Sequence, residues 1–106
     1  MKQQEVFLSP LAEFKLELLL EYIENEWGLK SKRNFLVKLQ RNTEKISIAP
    51  ESCERSIEFA DLYKCVVTKQ TTFFYRIAED AIEIVTVIDN RQNPDKIAEE
   101  IKEHFG

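Results

Sequence analysis

Four cations in the second half of the chain, Lys64, Lys69, Arg76 and Arg91, are the residues best suited to act on a phosphate or a carboxylate. A guanidinium offers a planar fork of donors that grips an oxyanion with two hydrogen bonds. Arg76 stands in the aromatic run Phe73-Phe74-Tyr75-Arg76-Ile77. Alternation along a strand turns it away from Tyr75 and Ile77, to the side that carries Phe74. There it is either a structural arginine stacked on a ring or part of a basic, aromatic concavity that takes an anion. Arg91 lies in Asp89-Asn90-Arg91-Gln92-Asn93-Pro94. It is either a turn residue paired with Asp89 or Asp95, or a guanidinium at a strand's end that holds an oxyanion. Tyr75, Arg76, Arg91 and Gln92 are the binding candidates on this reading.

Other chemistries find no residues. Neither GxGxxG nor GxxxxGK[ST] occurs, so no standard phosphate cradle is encoded. The one histidine, His104, sits two residues from the end, a poor place for a nucleophile's base. Glu79-Asp80 and Glu99-Glu100 are adjacent carboxylates in turn or exposed-helix contexts and read as solvating groups. Cys53 and Cys65 lack CxxC spacing and read as reduced thiols, so neither a metal nor a cofactor is expected.

The charge constrains the partners. The net charge is −4 and the pI about 5.1, without the basic excess of a free-standing nucleic-acid binder. Its distribution is uneven. Ala12 to Trp27 holds five Glu and one Lys, whereas Leu29 to Lys45 holds six Lys or Arg and one Glu. That pattern describes two neighbouring helices with complementary flanks. A basic helix docking on nucleic acid is the sharper alternative.

The elements that must position these residues are legible in turn. With 106 residues and 43% hydrophobic content, one domain over residues 1–106 with its own core is expected. No apolar run spans a bilayer and the opening Met1-Lys2-Gln3-Gln4-Glu5 has no signal-like core, so a cytoplasmic protein without membrane contact is expected. Gln4 to Leu8 is short and extended. Ser9-Pro10 then supplies a cap and a first helical residue. Leu11, Phe14, Leu18 and Tyr22, widened by Leu16, Leu19, Leu20, Ile23 and Trp27, make an amphipathic helix from Pro10 to Trp27, and Gly28 ends it. Leu29, Phe35, Leu36, Leu39 and Ile46 share the face of a second helix closed by Pro50, antiparallel to the first. Residues 51–61 are polar and hold at most a fragment of strand. Then 63–68, 71–77 and 82–88 are β-rich, with connections too short for a crossover helix, so they are antiparallel neighbours. The last of them is apolar on both faces and reads as central. Asn93-Pro94 opens a final helix with Ile97, Ile101 and Phe105 at helical spacing. The fold class is α+β: an N-terminal helical hairpin on a small antiparallel sheet, with a short C-terminal helix.

The stretch from Phe73 to Ile77 and from Ile82 to Pro94 resembles the C-terminal half of RelE/ParE toxins of type II toxin–antitoxin systems, also called plasmid stabilisation proteins. Leu8-Ser9-Pro10-Leu11-Ala12 with its hairpin, and Leu62 to Val67, are similar to the family's earlier elements. The likeness runs over about residues 4–97 and follows the family's order of elements. The resemblance implies a growth-inhibiting toxin neutralised by a cognate antitoxin in a hetero-oligomer. RelE-type members cut mRNA in the ribosome, and ParE-type members poison DNA gyrase. The RelE reaction needs cations around a phosphorane. By pattern Lys64 and Arg91 match two of the family's set, while Val66, Thr72 and Ile97 fall where a lysine, an arginine and a tyrosine are expected. Lys69 and Arg76 are the candidate substitutes. The incomplete set and the acidic pI favour a ParE-like inhibitor of gyrase. The alternatives are a RelE-like endoribonuclease using Lys64, Lys69, Arg76 and Arg91, and a non-toxic homologue that binds the antitoxin.

Overall fold

Ser9 makes the first decisive turn of the chain. The structure, a computed structural model, describes residues 3–57, 59, 61–90 and 94–105, without the side chains of 94, 97, 104 and 105. Strand β1 (Glu5–Leu8) leads into helix α1 (Pro10–Trp27) through Ser9, which is 1% exposed. The Ser9 hydroxyl accepts from the Ala12 amide at 3.0 Å and so caps α1, with Pro10 in the first helical position. The same hydroxyl donates to the Val85 carbonyl at 2.7 Å, and the Ser9 amide donates to the Ile84 carbonyl at 2.9 Å. One small residue thus caps the helix and fastens it to the sheet.

A single glycine separates α1 from α2 (Leu29–Ile48). Gly28 has φ 91°, a conformation that costs a residue with a Cβ. Its amide donates to the Glu24 carbonyl at 2.9 Å, closing α1. Leu16 shares a hollow with Leu36 and Leu39, while Glu24 pairs with Lys32 at 2.9 Å near the turn. That is the contact order of an antiparallel hairpin, and the pair joins the acidic and basic flanks. The far end of α2 returns to β1: the Gln4 amide donates to the Ser47 carbonyl at 2.9 Å, and the Ser47 hydroxyl donates to the Gln4 carbonyl.

Five strands form one sheet, in the order β1-β5-β4-β3-β2. They comprise β2 (Glu54–Arg55), β3 (Tyr63–Val66), β4 (Thr71–Ile77) and β5 (Ala81–Asp89) besides β1. From β2 to β5 the pairing is antiparallel. The sheet as a whole is mixed, which corrects the all-antiparallel expectation: β1 lies parallel to β5, from Glu5 opposite Ala81 to Leu8 opposite Ile84. The hairpin and the meander both intervene between these partners, so no turn announces the pairing. Strand β5 is central and buried on both faces.

A bulge makes that double burial possible. The β4–β5 register slips between Phe74, opposite Thr86, and Tyr75, opposite Ile84, leaving Val85 as the extra residue. Ile82, Ile84 and Val87 consequently join Phe73, Tyr75, Phe35, Ile46 and Ala12 in the core beneath the hairpin. Val85 and Ile88 join Phe74, Leu62 and Ile101 in a second core beneath α3 (Pro94–Phe105). The bulged residue is the one whose carbonyl Ser9 holds.

Replacing Ser9 by Ala removes the cap and leaves the Val85 carbonyl without its donor, for a loss of about 2–3 kcal/mol. Ser9→Asp restores a cap acceptor but sets a carboxylate beside that carbonyl, so it should be no more stable than Ser9→Ala. Urea unfolding reads both midpoints. A Ser9→Asp midpoint near that of the parent would show that capping alone matters.

Candidate partner-binding surface

The sheet's cations divide: Lys64 and Arg76 are diagonal neighbours on one face, while Lys69 stands at the far end of β4. Lys64 is exposed in β3, opposite Glu54 on one side and Phe74 on the other. Lys69 sits in the β3–β4 turn, where the Thr68 hydroxyl accepts from the Thr71 amide at 3.1 Å. Asn90 clamps that turn from the end of β5. Its side-chain amide donates to the Lys69 carbonyl at 2.9 Å, and its backbone amide donates to the Gln70 carbonyl at 2.7 Å. The Thr72 hydroxyl donates to Asn90 Oδ1 at 2.6 Å. Arg76 lies near the opposite end of β4, where its Nε donates to Glu83 Oε1 at 2.6 Å. A strand of this length separates Lys69 from Arg76 by roughly 20 Å, too far to share one phosphate. Arg91 and Gln92 lie outside the described residues.

Tyr75 points into the core beneath the hairpin. It is fully buried, stacks on Tyr63 with centroids 5.2 Å apart, and donates its hydroxyl to the Pro50 carbonyl at 2.7 Å. Arg55 covers the outer face of Tyr63 at 5.3 Å. This stack binds β2, β3, β4 and the exit of α2. Glu100 is also structural, which corrects its reading as a solvating carboxylate. It accepts from Lys15 Nζ at 2.6 Å and from the Thr86 hydroxyl at 3.2 Å, joining α3 to α1 and β5. Glu79 and Asp80 are exposed in the β4–β5 turn.

α1 also exposes an apolar surface. The core takes Ala12, Leu16, Leu19 and Ile23 from α1. Phe14, Leu18 and Tyr22, which the periodicity placed at the centre of the buried stripe, are 59%, 52% and 45% exposed. Their i, i+4, i+8 spacing makes them one row on the flank away from Glu24, which faces α2. Leu29 and Leu36, assigned by pattern to the buried face of α2, are exposed as well. Tyr22 meets Trp27 edge-on with centroids 5.4 Å apart. Both rings line a cleft of about 510 Å³ between the hairpin and the β3–β4 turn, with Phe35, Lys38, Lys69 and Asp89 among its other walls. The row therefore leads into a hollow with two lysines at its polar side. Its signal in the sequence was the excess of apolar positions in α1 over what one buried face takes.

A two-helix hairpin beside a five-stranded mixed sheet, with a short third helix behind it, is the architecture of a known structural class. A solved structure described as "Chromosomal ParDE TA system from P. aeruginosa" superposes with a TM-score of 0.69 at 10% identity, covering 84% of this chain and 98% of that one. "Toxin ParE1" of Mycobacterium tuberculosis, from strains CDC 1551 / Oshkosh and ATCC 25618 / H37Rv, is 27% identical over 90 residues, 84% of this chain and 92% of the relative. Residues 6–94 match the family described as "ParE toxin of type II toxin-antitoxin system, parDE". The chain belongs to this family of toxins of type II toxin–antitoxin systems. Among the described residues, no helix is long and apolar enough to cross a membrane.

Burial also perturbs two acids near the exit of α2. Cys65, 2% exposed, has its thiol pushed up from 9.0 to about 12, first by desolvation and then by the neighbouring Cys53 thiol. Tyr75 is raised from its ordinary value of 10.0 for the same two reasons. Both keep their protons in the folded chain where the unfolded chain has lost them. The Cys65 contribution to stability is therefore whole below pH 9.0 and declines as pH rises toward about 12, and that of Tyr75 is whole below pH 10.0 and declines above it. Cys65→Ser should flatten that alkaline decline, and Tyr75→Phe should do so beginning about one pH unit higher. Urea midpoints across the alkaline range test this. A decline as steep in both variants as in the parent would contradict it.

Proposed function

We propose that this toxin acts in the cytoplasm by binding rather than by cleavage, inhibiting DNA gyrase, and that a cognate antitoxin neutralises it by covering the apolar row on α1. The observation that carries this reading is the contrast between two surfaces. Phe14, Leu18, Tyr22 and Trp27 gather on one exposed flank that continues into the cleft. Lys69 stands at the opposite end of β4 from Arg76 and its neighbour Lys64, and Arg76 is held by Glu83. A phosphoryl-transfer site needs its cations at one point, whereas a protein partner needs an apolar centre with a polar rim. The family assignment over residues 6–94 agrees with an inhibitor of the ParE branch. An antitoxin segment with apolar side chains at helical spacing fits the row, and acidic groups on it fit Lys38 and Lys69. Tyr75 acts as a support of the sheet in this reading, and Arg76 with its neighbours belongs to the rim.

The test is gyrase supercoiling with purified toxin, with and without the protein from the adjacent reading frame. Supercoiling should fall with increasing toxin and return when that protein is added. Leu18→Asp should demand at least about 30-fold more of it for the same recovery. Full supercoiling at saturating toxin, with cut mRNA in a translation extract, would replace this reading by ribosome-dependent cleavage.

A further inference from the structure

The two cysteines face each other across the edge of the sheet. Strands β2 and β3 pair with Glu54 opposite Lys64 and Arg55 opposite Tyr63. Continued one step beyond the end of the ladder, this register sets Cys53, just before β2, opposite Cys65. The kind of pair can be read from the hydrogen bonds. The Ser56 amide donates to the Leu62 carbonyl at 2.8 Å, so position 56/62 is a hydrogen-bonded pair. Antiparallel ladders alternate, so 55/63 is non-hydrogen-bonded, 54/64 hydrogen-bonded and 53/65 non-hydrogen-bonded again. Non-hydrogen-bonded partners have Cα atoms about 4.5 Å apart and side chains on one face, within the range a disulfide spans. Both side chains pack on the core beneath the hairpin. Both are free thiols here.

We propose that Cys53 and Cys65 are a redox site: under an oxidising thiol pool they form a reversible intrachain disulfide that staples β2 to β3. This inference is independent of how the toxin acts. The partners differ in access. Cys53 is half-buried at the edge and is the point of entry. Cys65 is buried, and its thiol donates weakly to Asn42 Oδ1 on α2 at 3.4 Å. The oxidant is a small disulfide such as oxidised glutathione. The Cys53 thiolate attacks one of its sulfurs, forms a mixed disulfide and releases one glutathione. Cys65 then gives up its proton, attacks the Cys53 sulfur and expels the second glutathione. Two protein thiols have become one disulfide, and one oxidised glutathione has become two reduced ones. The high proton affinity of Cys65 makes this second step slow at neutral pH and faster in mild alkali.

The staple closes a loop of about a dozen residues that contains β2, the two-residue edge of the sheet. It holds that edge in place and ties the exit of α2 to the meander. Oxidation should therefore raise the stability of the toxin without a partner.

The test uses the full chain, treated with oxidised glutathione and then freed of it, with intact mass and peptide mapping as readouts. The expected product is monomeric, lighter than the reduced protein by two hydrogen atoms, with Cys53 and Cys65 peptides linked. Its melting temperature should lie at least about 5 °C above that of the reduced protein and return on reduction. Cys53→Ser should give neither the mass loss nor the shift. A stable glutathione adduct on Cys53 that never resolves, disulfide-linked dimers, or a linked monomer with unchanged melting would overturn the proposal. The parent protein carries the main readout, so the result stands even if a variant folds poorly.

Discussion

Everything in this fold hangs on the hydroxyl of Ser9. Its oxygen caps α1, and its proton fixes the carbonyl of Val85 at the bulge of β5. The chain must place the start of a helix on the central strand of a sheet formed some 76 residues later. A buried helix start exposes amides, and a bulge frees a carbonyl, and either group alone would be costly inside a core. Serine satisfies both with one atom group and little volume. Pro10 complements it, because the missing amide is one fewer donor to satisfy.

Once that junction is set, the remaining geometry follows with few choices. The junction sits at the end of the parallel β1–β5 ladder, where Leu8 lies opposite Ile84 and the Ser9 amide donates to the Ile84 carbonyl. The bulge turns Ile84 and Val87 to the same face across an odd spacing, so β5 supplies both cores. The hairpin then needs only one side of α1 for the sheet. Its other flank is left to Phe14, Leu18 and Tyr22. On the proposed reading a partner protein covers this flank, whose rings and leucines offer an apolar centre for binding.

Local signals in the sequence were sufficient for most elements. Ser9-Pro10 and Gly28 bracket α1, the limits of β4 fall where its residue pattern places them, and α3 starts at Pro94. What could not be read is non-local. Nothing in Glu5-Val6-Phe7-Leu8 states that its partner is Ala81 to Ile84, because a parallel ladder has no connecting turn to mark it. The apolar count of α1 was visible, but not which part the core would take, since that depends on the face Ser9 turns to the sheet. Of the binding candidates, Arg76 lies at the surface as alternation requires. Tyr75, its neighbour, is consumed by the core, and alternation already separated the two. Cys53 and Cys65 read as unrelated because their proximity arises from the β2–β3 register alone.

The central claim is that hairpin and sheet form one cooperative unit joined at Ser9. Native-state hydrogen exchange tests it at two amides, Ser9, which donates to Ile84, and Ala12, which donates to the Ser9 hydroxyl. Both should exchange with the same opening free energy as the amides of the central β4–β5 ladder. Exchange at Ser9 and Ala12 that is orders of magnitude faster, while that ladder stays protected, would mean that the hairpin opens on its own and would contradict the account.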